Sequence, residues 1–518
     1  MRKWTLLLVL FLLSVPLTGF AAETPTKGGT LIWGRLADPS KLDLAQTSDM
    51  EAVQTAGQIL EGLVRFAPNS LEIIPTLATS WQAAEDGLSW RFNLRKGVRF
   101  HNGEPFTAKD VKDSLERIIR KDHPFYKYGK WSVSRFLLSP IKEVKIIDDH
   151  TVDIVTKFPF SPLPNNLACP FSPILSSKVM AEHKEQVVNK PVGTGPFRFV
   201  KWEKDSQFVV ERNEEYWGQK PHLNKIIIKP IPDSSARLMA LQSGMVDIAD
   251  SLDPDSISLI RKDPKLIVLE KTGCGVSYLG LNCRKPYLEN VLVRRAINYA
   301  INKPILIQTI FQGMAIPAKN PYPPTAAFGY NDAIEPYEYN PEKAKELIKK
   351  ANIGKEIELE LWAMPVSRAY MPEPQKTAEL IQAYLAAVGI KAKLVRFDWG
   401  AYLAKTAAGE HDMCILGWML GTGHPDSFMH YLLSGEVTNQ RAKWNNPEYT
   451  ALVGKARSVF DQKESAELYR RAQEIFHEDA PWVPLAHNMV VRCVNKRVHN
   501  VPLSPSSNNR MDMVWKDR

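Results

Sequence analysis

The chain has 518 residues, of which 44% are hydrophobic and 24% are charged, as in an ordinary soluble globular protein. This length exceeds what one hydrophobic core supports, so two or more lobes are expected. Lys and Arg outnumber Asp and Glu by 66 to 57, but basic and acidic residues are interspersed, which argues against binding to nucleic acid.

The N-terminus has the pattern of a secretory signal peptide. Arg2 and Lys3 precede an uninterrupted apolar run at residues 6–13, and small residues follow up to Ala22. The run is shorter than the roughly 20 apolar residues of a membrane-spanning helix. We therefore predict a signal peptide at residues 1–21 and a periplasmic mature protein without a lipid anchor, since no cysteine lies near the cleavage site.

The first half of the mature chain alternates strand and helix signals. A strand is predicted at residues 28–34, and a half-buried strand at residues 90–95, where apolar and polar side chains alternate. Thr107 and Asp110 form a capping box at the start of a helix. Two short strands are predicted within residues 141–156.

In the second half, residues 275–282 are predicted as a strand that crosses between the two main lobes. Asn340 followed by Pro341 is typical of a helix start. Helices are also predicted at residues 293–303 and 464–478.

Residues 357–418 predict a βαβαβ unit. The predicted strands and helices are 357–362 (strand), 378–388 (helix), 390–397 (strand), 400–408 (helix) and 413–418 (strand). In open parallel sheets, ligands bind outside the carboxyl ends of the strands. We therefore expect the loop that carries Arg368 and the loop at residues 419–428 to face one crevice, the candidate site.

Several motifs carry a family resemblance. They are Trp362-Ala-Met-Pro-Val-Ser-Arg-Ala-Tyr370, Phe397-Asp-Trp-Gly-Ala-Tyr402, Gly409-Glu-His-Asp412, Gly417-Trp418 and Gly423-His-Pro-Asp-Ser-Phe428, together with segments at 77–111, 191–197 and 213–218. They resemble family 5 of the solute-binding proteins of ABC importers, and most closely its dipeptide-binding members. This family takes up dipeptides, oligopeptides, glutathione, haem and nickel chelates.

The resemblance implies an α/β, two-lobed periplasmic binding protein of type II with an extra inserted domain. Lobe I is expected to comprise residues 22–50, 190–268 and 484–518, the inserted domain residues 51–189, and lobe II residues 269–483, which carry much of the ligand site. It also implies a monomer that delivers its ligand to an inner-membrane ABC permease.

Arg368 is the strongest candidate binding residue. A guanidinium is always charged, and its planar fork grips a carboxylate through two parallel hydrogen bonds. In dipeptide-binding relatives the arginine of this motif holds the C-terminal carboxylate of the peptide. The alternative is a structural arginine that is paired with an acid of the protein.

One position departs from the family pattern. Dipeptide binders have an aspartate in the loop after Gly-Trp, where it pairs with the α-amine of the ligand, and Gly421 matches that position here. A buried ammonium without a partner costs several kcal/mol. Either the ligand has no free amine at this point, or another acid such as Asp426 reaches it, or the alignment shifts. Asp426 alternatively caps the next helix.

The remaining candidates lie nearby. Aromatic side chains that offer apolar area for the pocket are Trp418, Trp399, Tyr402 and Tyr370. Gly423 and His424 belong to the loop at residues 419–428, and His424 is a surface or hydrogen-bonding group, or a metal contact if the ligand is a metal chelate.

The sequence lacks catalytic and cofactor motifs. It contains no G-x-S-x-G, H-E-x-x-H or C-x-x-C pattern, and its 11 histidines show no metal-ligand spacing. Its five cysteines leave at least one unpaired. We predict a binding protein for a di- or short peptide, without cofactor or metal. The alternatives are a binder of a carboxylate-bearing non-peptide (glutathione, haem or a metal chelate) and, disfavoured, a secreted hydrolase.

Overall fold

The structure, a computed structural model, describes residues 25–435, 440–506 and 508–517. The predicted signal peptide lies outside these ranges. Within them, every helix is too short or too polar to span a membrane.

The first part of the chain contributes one strand to a large sheet and then builds a separate small sheet. Its elements are β1 (Thr30–Arg35), α1 (Met50–Ala56), β2 (Val64–Phe66), β3 (Ile73–Pro75), β4 (Ala78–Ala83), β5 (Ser89–Leu94), α2 (Ala108–Ile119), α3 (Val133–Leu138), β6 (Ile141–Asp148), β7 (Thr151–Thr156), α4 (Leu163–Ala168) and α5 (Ser177–His183). The small sheet is antiparallel, in the order β4-β5-β7-β6.

The chain then returns to the large sheet beside β1. The next elements are β8 (Phe197–Glu203), β9 (Gln207–Arg212), β10 (Lys225–Pro230), α6 (Ser234–Gln242), β11 (Ile248–Asp250), α7 (Pro254–Ile260) and β12 (Leu266–Thr272). β1 lies between β10 and β11 and is parallel to both. This half of the sheet therefore combines strands from both sides of the predicted insertion.

The second half of the chain adds the other end of the large sheet. Its elements are β13 (Gly275–Leu281), α8 (Val291–Ala300), α9 (Lys303–Ile310), β14 (Ala315–Pro317), α10 (Pro341–Ala351), β15 (Ile357–Trp362), α11 (Pro374–Ala387), β16 (Ile390–Val395), α12 (Trp399–Ala408), β17 (Met413–Met419), α13 (Asp426–Leu433), α14 (Pro447–Ala456), α15 (Gln462–Asp479), β18 (Trp482–Asn495), β19 (Val498–His499) and β20 (Trp515–Lys516). The local predictions hold: Thr107 and Asp110 form a capping box, and Asn340 caps α10.

One strand belongs to both halves of the large sheet. The first residues of β18 pair with β13, and its last residues pair with β11 and β12. The prediction that residues 275–282 cross between the lobes is wrong, because β13 pairs only with β17 and β18 within the second half. At 14 residues, β18 is long enough to pair on both sides, so the predicted boundary at residue 484 falls inside an unbroken strand.

The inserted segment has no separate core. Leu31 and Trp33 of β1 belong to the same buried cluster as Phe92 of β5 and Leu115 of α2. A second large cluster fills the half built around β13, β15 and β17. A third, smaller cluster lies under α6, α7 and β12. The described residues therefore pack as two large apolar bodies and one small one, with the small sheet fused to the first large body.

A buried ion cluster joins three strands of the first half. Asp250, at the end of β11, accepts hydrogen bonds from Arg35 of β1 and, at 2.8 and 3.0 Å, from Arg492 of β18. Arg35 also donates to Glu51 at 2.7 Å. Burial alone would raise the pKa of Asp250, but the two guanidinium groups outweigh it and the pKa lies below its usual value.

We expect Asp250→Asn to lower the free energy of unfolding by about 3–5 kcal/mol, because it leaves two buried guanidinium groups with a single acid. Urea denaturation measures this loss. Asp153→Asn is the matched control: Asp153 pairs with the exposed Arg91, so its loss should stay within about 1 kcal/mol. Equal losses for the two variants would contradict a special role for the buried cluster.

Candidate ligand-binding cleft

The predicted βαβαβ unit is present as β15-α11-β16-α12-β17. β15 is parallel to β16 and to β17, and Trp362 at the end of β15 lies opposite Cys414 near the start of β17. β17 thus runs on beyond β15, and the loop after β15 folds over it. The ring of Tyr370 lies so close to Gly417 that a Cβ there would be 2.2 Å from its Cδ2 atom. Only glycine permits this contact.

Arg368 is held at the tip of this loop. Its backbone exchanges two hydrogen bonds with Met371, which is fully buried. Its guanidinium carbon lies 5.2 Å from the centre of the Trp399 ring at the start of α12. The side chain is exposed, and Nη1 donates to the Ser367 carbonyl at 3.0 Å. The loop anchor and the aromatic ring together fix the position of the cation.

A cavity of about 510 Å³ lies between the two halves of the molecule, the first built around β1, β10 and β11 and the second around β13, β15 and β17. Arg368 lines this cavity. The second half contributes Ser367, Arg368 and Met419, and the first half contributes the cluster of Arg35, Glu51, Asp250 and Arg492. This volume is typical of a small-molecule site.

Arg368 is the unpaired charge of this cavity. Arg35, Glu51, Asp250 and Arg492 are paired with each other. Across the described ranges, no carboxylate lies within ion-pair distance of Arg368, so the alternative of a structural arginine paired with a protein acid does not apply in this structure. Among the described residues that line the cavity, Arg368 is therefore the charge without an ion-pair partner, because Glu51 and Asp250 are each paired with an arginine.

The loop at residues 419–428 does not face a single crevice, contrary to expectation. Met419 lines the cleft, whereas Gly421 packs against Ser506. Gly423 and His424 line a second cavity, of about 590 Å³, whose opposite wall belongs to the inserted segment. Gly423 has a φ of 66°, a left-handed backbone conformation that favours glycine.

His424 lies in the interior and not in the cleft. Its ring stacks on Phe328 at 5.0 Å, and its Nδ1 accepts the backbone N–H of Asp426 at 3.3 Å. Burial lowers the pKa of His424 to about 4, so the imidazole is neutral. No group of three His, Cys, Asp or Glu side chains in the described part of the chain is arranged to hold a metal ion.

Asp426 and Tyr402 also occupy interior positions. Asp426 begins α13 and forms an ion pair with Arg457, whose Nε lies 2.9 Å from Oδ1, so it is not available to a ligand amine in the cleft. Tyr402 is fully buried, and its hydroxyl donates to the Ile415 carbonyl at 2.5 Å. Both side chains are candidate site residues in the sequence, and both instead find their partners inside the second half, Asp426 through the ion pair with Arg457 and Tyr402 through its hydroxyl.

The other aromatic candidates flank the cleft. Trp399 supports Arg368, and Tyr370 lies beneath the same loop, where burial raises its pKa to about 12. Trp418 is half-buried, packs 5.0 Å from Tyr431 and does not line the cavity. The structure therefore brings together Arg368, Trp399 and Tyr370, whereas Trp418 packs elsewhere, against Tyr431.

Sequence reasoning missed the first-half wall of the cleft. Arg35 follows the predicted strand at residues 28–34, so its place at a strand end was a usable signal. Asp250 binds Arg35 across a sequence separation of 215 residues, and Arg492 binds Asp250 across 242 residues. No local sequence pattern predicts contacts at such separations.

Two α/β halves that share a strand and enclose a cavity define the class of type II periplasmic binding proteins. The profile of the bacterial extracellular solute-binding proteins, family 5 (Middle), matches residues 72–440. The chain belongs to this family, and the predicted resemblance is confirmed.

Named relatives span nearly the whole chain. The dipeptide-binding protein of Escherichia coli (strain K12) is 36% identical over 470 residues, which cover 87% of this chain and 88% of the relative. Heme-binding protein A of Haemophilus influenzae is 36% identical over 465 residues, covering 86% and 85%. The solved structure of the ABC transporter-associated periplasmic binding protein DppA from Helicobacter pylori in complex with the peptide STSA has a TM-score of 0.79 and 37% identity, covering 95% of this chain and 99% of that one.

The close contact between Gly421 and Ser506 predicts that a side chain at position 421 destabilises the protein. A Cβ at this position would lie 2.8 Å from the Cβ and 3.0 Å from the Cα of Ser506, so Gly421→Ala should lower the free energy of unfolding by about 1–3 kcal/mol. Gly454→Ala in α14 is the control, since nothing lies within 4 Å of its Cβ position and alanine favours a helix. If both variants were as stable as the parent protein, the packing of Gly421 on Ser506 would be refuted in thermal and urea denaturation.

Proposed function

We propose that this protein is the periplasmic substrate-binding component of an ABC importer and that it binds a di- or short peptide in the cleft. In this proposal Arg368 holds the C-terminal carboxylate. The observation that carries it is an exposed guanidinium that faces a cavity between the two halves and has no acidic partner among the described residues. The relatives named above as dipeptide-binding or solved with a peptide support the same ligand class.

The geometry accounts for how such a ligand would be held. A carboxylate that meets the planar fork of Arg368 forms two charge-assisted hydrogen bonds, and Trp399 keeps the fork in place from behind. An extended peptide can also pair with backbone groups of the cleft walls as an added strand does. Because the walls belong to different halves, a bound ligand favours the closed arrangement, which the partner permease would then recognise.

Among the described residues that line the cleft, none offers an unpaired acid to the amine end of the ligand. Gly421 has no side chain, Asp426 is paired with Arg457, and the acids that line the cavity are paired with Arg35 and Arg492. We therefore expect a ligand whose amine is blocked, is absent, or stays in solvent.

A second candidate is a carboxylate-bearing non-peptide, such as glutathione, haem or a metal chelate. The missing amine partner favours it, as does the similarity to a relative named for heme binding. Arg368 would hold a carboxylate of such a ligand in the same way.

Arg368→Ala should weaken a carboxylate ligand by about 1.5–3 kcal/mol, because a hydrogen-bonded charge pair is lost. Isothermal titration calorimetry with each ligand and with its C-terminal amide measures the effect. The amide should bind the parent protein weakly and should bind the variant no worse. Arg91→Ala, on the exposed small sheet, is the control and should bind as the parent does. Unchanged affinity in Arg368→Ala would overturn the assignment.

The missing amine partner predicts how N-terminal acetylation acts. Acetylated dipeptides should stabilise the mature protein at least as well as free dipeptides, since acetylation removes a charge for which the cleft has no acid. A thermal-shift screen of matched pairs tests this, because a ligand at about 100 times its Kd adds about 2.7 kcal/mol of stability. Stabilisation by the free forms alone would show that an acid does reach the amine.

A further inference from the structure

Methionine side chains form much of the apolar wall of the cleft. Met50 begins α1, Met314 follows α9, Met419 ends β17 and Met489 lies in β18. Four of the 14 methionines of the chain thus line one cavity, although they come from four separate segments. The first half supplies Met50, the second half supplies Met314 and Met419, and the shared strand supplies Met489.

These methionines are accessible to a ligand. Each is only partly buried, and Met419 has 38% of its surface exposed. Other apolar side chains continue the wall, among them Leu36, Leu252, Ile257 and Phe311. When an apolar ligand covers an apolar surface that is otherwise exposed to water, removing both surfaces from water stabilises the complex.

The thioether side chain gives this wall a particular property. Methionine is unbranched, has three rotatable bonds and carries a polarisable sulfur, so it adapts to apolar groups of different shapes and makes favourable contacts with aromatic rings. A wall of four such side chains therefore accepts large apolar groups without demanding one shape.

The charges of the same cavity restrict the ligand further. Arg35, Glu51, Asp250 and Arg492 neutralise each other, so they present no net charge to a ligand. Arg368 remains as the anchor. The cavity thus combines one positive anchor with an adaptable apolar wall.

We propose that the cleft selects ligands that carry a large apolar or aromatic side chain close to the carboxylate, and that Met50, Met314, Met419 and Met489 determine this specificity. The inference rests on the proposed function, because it takes Arg368 as the carboxylate anchor. It adds the class of side chain that the site accepts. A small polar side chain in the same place would leave the methionine side chains exposed to water and would add little to the binding free energy.

The test is calorimetry of the mature protein with four N-acetylated dipeptides that differ only at the C-terminal residue: Ala-Phe, Ala-Leu, Ala-Ser and Ala-Asn, each also with a free amine. Ala-Phe and Ala-Leu should bind at least about tenfold more tightly than Ala-Ser and Ala-Asn, as expected from burying one large apolar side chain.

Substitutions then assign the preference to the methionines. Met419→Gln and Met314→Gln keep the length of the side chain but make it polar. Each should lower the ratio of the Kd for Ala-Ser to the Kd for Ala-Phe several-fold. Met419→Leu should preserve the ratio. Met239→Gln is the matched control, because Met239 is 60% exposed on α6 and does not line the cavity.

The outcomes separate the two proposals. If peptides bind in an Arg368-dependent way but apolar and polar members bind equally, the specificity inference is overturned and the proposed function stands. The same holds if the preference persists unchanged in both glutamine variants. If no peptide binds in either amine form, the peptide function fails, and the inference that rests on it fails too.

Discussion

The cleft depends on the buried carboxylate of Asp250. It joins β1 to β18 through Arg35 and Arg492, and the indole of Trp33 donates to it at 3.0 Å. A lone charge in this position would be costly, and the cluster is stable because every charge has a partner. The same pairing removes these groups from competition for a ligand. Arg368, on the opposite wall, is the group to which the proposed function assigns the ligand carboxylate.

The shared strand explains how two bodies form one site. β18 passes from the second half to the first at Asn488 and Met489, and the carbonyl of Asn488 accepts the N–H of Gly273, where the chain passes between β12 and β13. Both crossings are short backbone segments in contact with each other. Asn488 and Met489 also line the cavity, so a ligand bound as proposed would touch the connection itself as well as the two walls. In the proposed function this contact would couple occupancy of the cleft to the relative position of the halves.

The loop after β17 divides the space between the halves. Its first residue, Met419, faces the cleft, while Gly421 packs on Ser506 and His424 faces the second cavity. Gly421, where the family resemblance predicts an acid in dipeptide binders, is here a packing contact with Ser506. In the proposed function, the cleft would therefore depart from the predicted dipeptide-binding pattern at Gly421 and follow it at Arg368.

The sequence by itself determined the local structure: the βαβαβ unit, the caps at Thr107 and Asn340, the family and the loop that presents Arg368. Periodicity, capping and turn residues act over a few positions, so they can be read along the chain. Trp399 and Tyr402 show the limit, since both lie on α12 but only Trp399 reaches Arg368, while Tyr402 enters the core. The tertiary structure alone decided the pairing of Asp250 with Arg35 and Arg492, the two-sided pairing of β18 and the methionine wall. These contacts join residues that are hundreds of positions apart, and the free energy that selects them comes from packing and desolvation of the assembled strands, which no local pattern encodes.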